Sequence, residues 1–563
     1  MGGATSSDVI QQKVWNEPEK RCIFAPETKI LTKKKKVMKG IKASALLVLS
    51  CILVVISFSA CSNEDIPTKV PSSGSIYPLT DVHVMASGLV TTKHNKKANL
   101  HATRGFKAED FVITPISEEE AKALTSKANT LKTGEAGDDG STLGIYNWVT
   151  LLYRCKTADG SVKDLSELVV WPYAGTPSQL VIGCHSTITS DSQRPTNFSN
   201  MSFASEVNML ALFTSALSQN ALVIVPDYEG YGITADTPHP YCNRDLTALQ
   251  VVTGVKAGLS WFEENQMKMA DGWSGVSIGY SQGGAVSAGV LRYCQENNDN
   301  SLRLKGAVCG DGPYDPLATL KRYIEMDHLY MPVAPALLLK GAVDTDPDMK
   351  ALECKYQDFV TDNFLKTGIF KMIGDKQLTT DEVQAALLDY SLHNGDGGGF
   401  TMMAQCSEGF LPYTENNLVD GSGKTRDFEL ENGKGYNYCT VDQCLKPGVI
   451  AYFRDGTITG EVPEEKLKAL EKSLSKNALT ADGFMPGNGF TFFHSTGDEV
   501  VPYCNLESVR NTWGTSGIKT VTLESYVQLH VATGTLFFTM KCGSLVDEIL
   551  NGSWAPGEFI VGI

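Results

Sequence analysis

From Tyr146 onward the apolar positions fall in short blocks whose period switches between that of a strand and that of a helix. Residues 147–155 and 165–172 carry strand patterns joined through Ala158-Asp159-Gly160, which predicts a β-hairpin. Strand and helix patterns then take turns: strand 179–183, helix 205–218, strand 221–226, helix 246–264, strand 275–280, helix 283–295 and strand 304–309. Such alternation predicts a mostly parallel twisted sheet with helices on both faces.

After Gly310 the alternation stops for about 175 residues. Within that span 335–343, 349–370, 380–393 and 464–475 read as helices, separated by Gly-rich loops such as Asn394-Gly395-Asp396-Gly397-Gly398-Gly399. A loop of this length needs structure of its own, so 313–487 is expected to be an inserted, mainly helical cap domain. Strand and helix resume at 489–494, 506–512, 520–529 and 533–549. The expected plan is therefore a core of 88–312 and 488–563 interrupted by the cap.

The N-terminal region follows different rules. Lys33 to Lys36, Lys39 and Lys42 precede an uncharged apolar run, 43–60, which ends in Phe58-Ser59-Ala60-Cys61 before the polar Ser62-Asn63-Glu64-Asp65. Small residues directly before a cysteine resemble a bacterial lipobox, so 1–61 is expected to be an export signal whose Cys61 takes lipid. The competing reading is an uncleaved membrane anchor. Met38 makes a better signal start than Met1, which leaves the translation of 1–37 open; Met1-Gly2 with Ser6 also fits a myristoylation pattern, taken as chance beside an export signal. The polar stretch 62–87 suits a flexible tether. These features imply lipid anchoring at a bacterial envelope, at the outer membrane or cell surface, with the leaflet undetermined.

Composition narrows the partners. Beyond residue 60 there are 39 Lys and Arg against 60 Asp and Glu, a net charge of −21, which repels nucleic acid. The expected partner at this point is the membrane, with the chain itself a monomer. Of the 14 cysteines, 11 lie beyond Cys61. They are scattered without C-x-x-C pairs, so neither a metal nor a redox motif emerges. Cys439 and Cys444 are near enough to bridge across a loop.

The strongest chemical motif is Gly279-Tyr280-Ser281-Gln282-Gly283, where a predicted strand runs into Ser281 and a helix leaves after it. A serine on so sharp a turn needs glycines two residues away on either side, because side chains there would strike neighbouring backbone. Gly275-Val276-Ser277-Ile278-Gly279 fits the same pattern, but Ser277 sits inside the strand with no helix after it, and reads as a sheet residue. A serine needs a base, and the base an orienting carboxylate. In chain order Asp498 fits the acid, in a loop after strand 489–494, with Glu499 its nearest rival and Asp311 and Asp315 in reserve. His530 fits the base, since it alone among the nine histidines lies beyond Asp498. An oxyanion hole would take the N–H of Gln282 and a second donor from Cys184-His185-Ser186-Thr187-Ile188, where His185, Ser186 and Thr187 stay open.

Val225-Pro226-Asp227-Tyr228-Glu229-Gly230-Tyr231-Gly232, the Gly279–Gly284 motif and the order and spacing of Asp498 and His530 together resemble the secretory lipase family of α/β-hydrolases, over about residues 140 to 550. The resemblance implies an α/β-hydrolase fold and cleavage of acylglycerols or other carboxylic esters through an acyl-enzyme, without a cofactor, under a helical cap. Asp227 and Tyr228 read as structural. Two alternatives share the residues: a serine peptidase or acyltransferase with the same triad, and a hydrolase-fold binding protein without catalysis. No 40 to 50-residue repeat of the propeller type that accompanies such peptidases is visible. Met331 to Leu339 would either line an acyl pocket or pack the cap.

Overall fold

The computed structural model describes residues 82–94, 111–131, 142–200, 220–430, 437–524 and 530–562. The expected signal 1–61, its Cys61 and the expected helix 205–218 lie outside the described residues. Among the described residues no helix is long and apolar enough to cross a membrane.

Eleven described strands form one sheet: β1 His83–His94, β2 Phe111–Ile116, β3 Thr142–Lys156, β4 Val162–Pro172, β5 Gln179–Cys184, β6 Ala221–Pro226, β7 Ser274–Tyr280, β8 Leu304–Gly310, β9 Phe490–Ser495, β10 Ile518–Glu524 and β11 Gly557–Gly562. Their spatial order is β11-β10-β9-β8-β7-β5-β6-β4-β3-β1-β2. From β11 to β6 every neighbouring pair is parallel, and from β6 to β2 every pair is antiparallel.

The central parallel strands are mostly apolar because both faces are covered; all six residues of β6 are buried. Alternate side chains feed two separate cores. Val181, Val223, Val276 and Val308 point to one side with Leu545, Val546 and Ile549 of the helix Gly543–Leu550. Leu180, Ile182, Leu222 and Ile224 point to the other, against Val251, Val252 and Val255 of the helix Arg244–Glu264 and Val286 and Val290 of the helix Gln282–Glu296.

Between β8 and β9 the chain leaves the sheet. The span holds the helices Pro316–Met326, Val333–Thr345, Thr380–Asn394, Pro447–Asp455 and Glu464–Lys476 and a hairpin of Met403–Cys406 with Gly409–Pro412. Residues from Leu320 to Leu474 supply every buried member of a further hydrophobic cluster, so this segment has a core of its own.

Three expectations differ from the structure. The single helix expected over 349–370 is four short helices, Pro347–Ala351, Tyr356–Phe359, Asp362–Lys366 and Ile369–Asp375. Glu353 and Gly368 adopt positive φ (50° and 77°), and Thr361 accepts the N–H of Phe364 as an N-cap, so the helix is interrupted three times. The sheet starts at His83, ahead of Ser87 where the tether was expected to end. The helix expected over 533–549 is continuous in register only as His530–Leu536, a π-turn Phe537–Cys542, and Gly543–Leu550.

Candidate active site

Ser281 follows β7 directly and opens the helix Gln282–Glu296, with φ 58° and ψ −128°. The flanking glycines are sterically required. A Cβ on Gly279 would lie 2.1 Å from the carbonyl oxygen of Gly283, and one on Gly283 would lie 2.0 Å from that of Cys184. The Ser281 N–H donates to the Gly310 carbonyl at 2.9 Å, tying the turn to the end of β8. Ser277 is buried in β7 and donates to the Ser287 carbonyl, as befits a sheet residue.

Asp498 follows β9 and His530 begins the helix after β10. His530 Nε2 stands 2.9 Å from Ser281 Oγ, and His530 Nδ1 stands 2.5 Å from Asp498 Oδ2. The other oxygen of Asp498 accepts the N–H groups of Val500 and Val501 at 2.9 and 2.7 Å. Burial pushes the Asp498 carboxyl upward, and those two N–H groups oppose the rise. With Nδ1–H donated to the carboxylate, Nε2 is left to accept from the serine.

Two more acidic residues crowd this triad of side chains. Glu499, expected only as a rival acid, accepts the backbone N–H of His530 with both oxygens, and burial followed by the charge of Asp498 pushes its carboxyl up to about 7. Asp311 is fully buried at the end of β8, accepts the Ser495 N–H at 2.8 Å and lies 2.5 Å from the Tyr280 hydroxyl. Asp315 has another task, capping the helix Pro316–Met326 through the Ala318 N–H. Among the described residues Asp311, His494 and Asp498 are the side chains whose donor atoms, within 4.8 Å of one another, are spaced for a metal ion. Their bonds argue for a hydrogen-bond network instead: Asp498 is committed to His530 and two N–H groups, and His494 Nε2 to the Val501 carbonyl at 2.9 Å.

On the opposite side of Ser281, Gln282 is the first residue of its helix, where N–H groups have no intrahelical acceptor. Its side-chain amide donates to His239 Nε2 at 2.7 Å, while His239 Nδ1 donates to the Glu229 carbonyl at 2.7 Å. Burial holds His239 down at about 3 and His185 at about 4, so both are neutral. The His185 ring stacks on Tyr228 at 4.0 Å, with Nδ1 2.7 Å from the Ser186 carbonyl and Nε2 3.2 Å from the Asp227 carbonyl, and the single N–H of the neutral ring donates to one of the two. Thr187 is placed at the cleft, its hydroxyl 3.1 Å from that of Tyr241. Asp227 accepts from Ser166 and from the hydroxyl and N–H of Thr196, which makes it a loop anchor.

Ser281 and His530 open into a cleft of about 700 Å³, part of it open to solvent. Its walls include Met331, Val333, Leu337 and Leu338 from the segment between β8 and β9, with Val500 and Val501 from the loop carrying Asp498. Ala336 and Leu339 of the same stretch pack inside that segment, so Met331 to Leu339 both line the cleft and fill a core. Sequence reasoning missed Tyr241, Tyr323 and Val500–Val501 as lining groups; the V-V-P after Asp498 was the one local signal of an apolar wall.

No family model and no curated protein sequence matches this chain. Solved structures do match it in fold. The rice cell wall degrading esterase LipA of Xanthomonas oryzae is 13% identical, with a TM-score of 0.51 in a ligand-bound form over 83% of this chain and 96% of that one. A second structure of the same esterase gives 0.52 over 84% and 98%, again at 13% identity. A Legionella pneumophila protein described as a hydrolase is 15% identical, with a TM-score of 0.50 over 77% of this chain and 95% of its own. At such identities the likeness is one of architecture: the chain has the α/β-hydrolase fold, a mostly parallel twisted sheet with helices on both faces.

Proposed function

We propose that this protein is a serine carboxylic ester hydrolase, a lipase or esterase working through an acyl-enzyme. The observation that carries the reading is the continuous chain from Ser281 Oγ to His530 Nε2 at 2.9 Å and from His530 Nδ1 to Asp498 at 2.5 Å, buried at the carboxyl ends of the strands. Ser281 attacks the ester carbonyl while His530 takes its proton and Asp498 stabilises the resulting imidazolium. His530 returns the proton to the leaving alcohol, and water repeats the sequence to release the acid. The N–H groups of Gln282 and Thr187 stabilise the oxyanion. His185 and Ser186 are the other candidate donors, and the place of Thr187 on the cleft wall with Ser281 and His530 favours Thr187.

The segment 313–487 acts as a cap. Its apolar contributions to the cleft suit the acyl part of the ester, and a fold shared with an esterase supports the same reading. Export and lipid anchoring through Cys61 complete it, with no cofactor required by the chemistry and the chain acting as a monomer.

The test is hydrolysis of p-nitrophenyl esters from acetate to palmitate by the protein and by Ser281→Ala. Loss of the triad serine is expected to reduce turnover by about a million-fold. Activity that survives Ser281→Ala, or no activity on any ester, sinks the proposal; in the second case failure to react with a fluorophosphonate would point to a binding protein.

A further inference from the structure

The Tyr280 hydroxyl lies 2.5 Å from Asp311 Oδ2 and 2.7 Å from the backbone carbonyl oxygen of His530. A phenol has one proton, and a carbonyl has none to give. If Tyr280 donates to the Asp311 carboxylate, two oxygen lone pairs face each other across 2.7 Å at His530. If Asp311 carries a proton, every group is satisfied: Asp311 donates to Tyr280, Tyr280 donates to His530, and Asp311 Oδ1 accepts the Ser495 N–H at 2.8 Å.

A second, independent count gives the same answer. Asp311 and Asp498 are both buried, with carboxyl oxygens within 4.8 Å of one another. Two such carboxyls in a low-dielectric interior do not both ionise. Asp498 accepts three N–H donors, from Val500, Val501 and His530, whereas Asp311 accepts one. The charge stays on Asp498 and the proton on Asp311.

We propose that Asp311 is a positioning residue that works protonated, fixing the backbone of His530 through the Tyr280 hydroxyl. This rests on the ester-hydrolase reading of Ser281, His530 and Asp498. The groups facing Asp311 are Tyr280 from β7, His494 from β9, Asp498 from the loop after β9 and His530 from the helix beyond β10. His494 is kept neutral by burial, so none of these supplies a full positive charge in the resting state that would draw the proton off. Burial, in turn, pushes Asp311 up to about 7.

Ionisation of Asp311 with rising pH would pull the phenol proton away from His530 and add a negative charge beside Asp498. The pH profile of kcat/KM is therefore expected to have an alkaline limb, which belongs to Asp311. Asp311→Asn imitates the protonated acid, since the amide N–H₂ donates to Tyr280 and the amide oxygen accepts from Ser495. It should keep activity within about tenfold at the optimum and lose the alkaline limb, leaving a plateau. Tyr280→Phe, which keeps the ring, should lower kcat about tenfold with KM little changed and also lack that limb.

Infrared spectroscopy supplies a readout that needs no turnover. The wild type at pH 6 should show the C=O stretch of a buried carboxylic acid that is missing from Asp311→Asn and fades in the wild type as the pH is raised. A wild-type plateau to high pH, or an Asp311→Asn spectrum identical to wild type, overturns the inference. Should Asp311→Asn fail to fold, Tyr280→Phe with an unchanged alkaline limb overturns it equally. An inactive wild type with the infrared band present would instead sink the ester-hydrolase reading and leave the protonated Asp311 standing.

Discussion

Glu499 holds the backbone N–H of His530 with both carboxylate oxygens, each at 3.1 Å. Since His530 opens the helix His530–Leu536, Glu499 caps that helix while it sets the height of the imidazole above Ser281. Glu499→Ala removes the acceptor and leaves the N–H without a partner. It is expected to cost about 1 kcal/mol of stability, as loss of a cap does, and to lower kcat about tenfold with a smaller change in KM. Glu499→Gln keeps one acceptor and should recover most of both. Urea unfolding and ester kinetics on the two variants check this; equal losses in Gln and Ala would mean that charge, not the bond to the helix start, is what counts.

The turn at Ser281 makes a harder demand on sequence. Gly283→Ala places a methyl 2.0 Å from the Cys184 carbonyl oxygen, which is backbone and cannot swing aside. Overpacking of this kind costs about 1–3 kcal/mol where neighbours yield, and here β5 and the serine turn must separate. The expected outcome is a melting temperature lowered by several degrees together with loss of esterase activity. Gly272→Ala, where the added Cβ meets nothing within 4 Å but φ is +75°, serves as a control for backbone strain alone and should leave activity intact.

Why some of this is legible in the sequence and some is not follows from where the constraints act. β5, β6, β7 and β8 announce themselves because both faces are buried and, apart from Gln179 and Lys305 near the strand starts, every position is apolar, aromatic or small. The places of Ser281, Asp498 and His530 are legible because each follows a strand, and parallel strands bring such ends together. β1 is not, because its residues from His83 to Ser87 are largely exposed and carry no core-facing alternation. The bonds that position His530 escape for another reason: Tyr280 and His530 are 250 residues apart, and no local pattern encodes their contact. The break-up of 349–370 turns on single backbone conformations at Glu353 and Gly368, which a periodic apolar pattern does not register.

Cys439 Sγ and Cys444 Sγ lie 3.4 Å apart, both buried. A bond between them needs an approach to about 2.05 Å and the transfer of two electrons, with release of two protons, to a disulfide oxidant. In an exported protein that oxidant is available, so material from an oxidising compartment should be lighter by two hydrogens and yield a peptide linking the two cysteines. The loop closed is short, and the gain should be about 2 kcal/mol. Mass spectrometry without reductant decides it: two free thiols in exported protein would refute the bond.

His239 supplies the sharpest test of the arrangement behind Ser281, through the pH dependence of stability. Burial holds it near 3 in the folded protein, whereas an unfolded histidine titrates near 6.5. The folded state thus binds fewer protons, so the contribution of His239 is fully present above about 6.5 and is lost as pH falls toward 3. Between pH 7 and 5 that loss amounts to about 2 kcal/mol. Buried carboxyls act in the opposite sense: Asp227, pushed up to about 6, and Asp311, pushed up to about 7, stabilise the fold as pH falls. Total stability therefore hides the histidine, and the informative quantity is the difference between wild type and His239→Gln. The variant should lose about 2 kcal/mol less between pH 7 and 5 by urea unfolding, and its turnover should fall because the Gln282 side chain loses its acceptor beside the oxyanion site. Parallel stability curves would mean that His239 is protonated in the fold, which would turn its Nε2 into a donor facing the Gln282 amide and require that amide to be reversed.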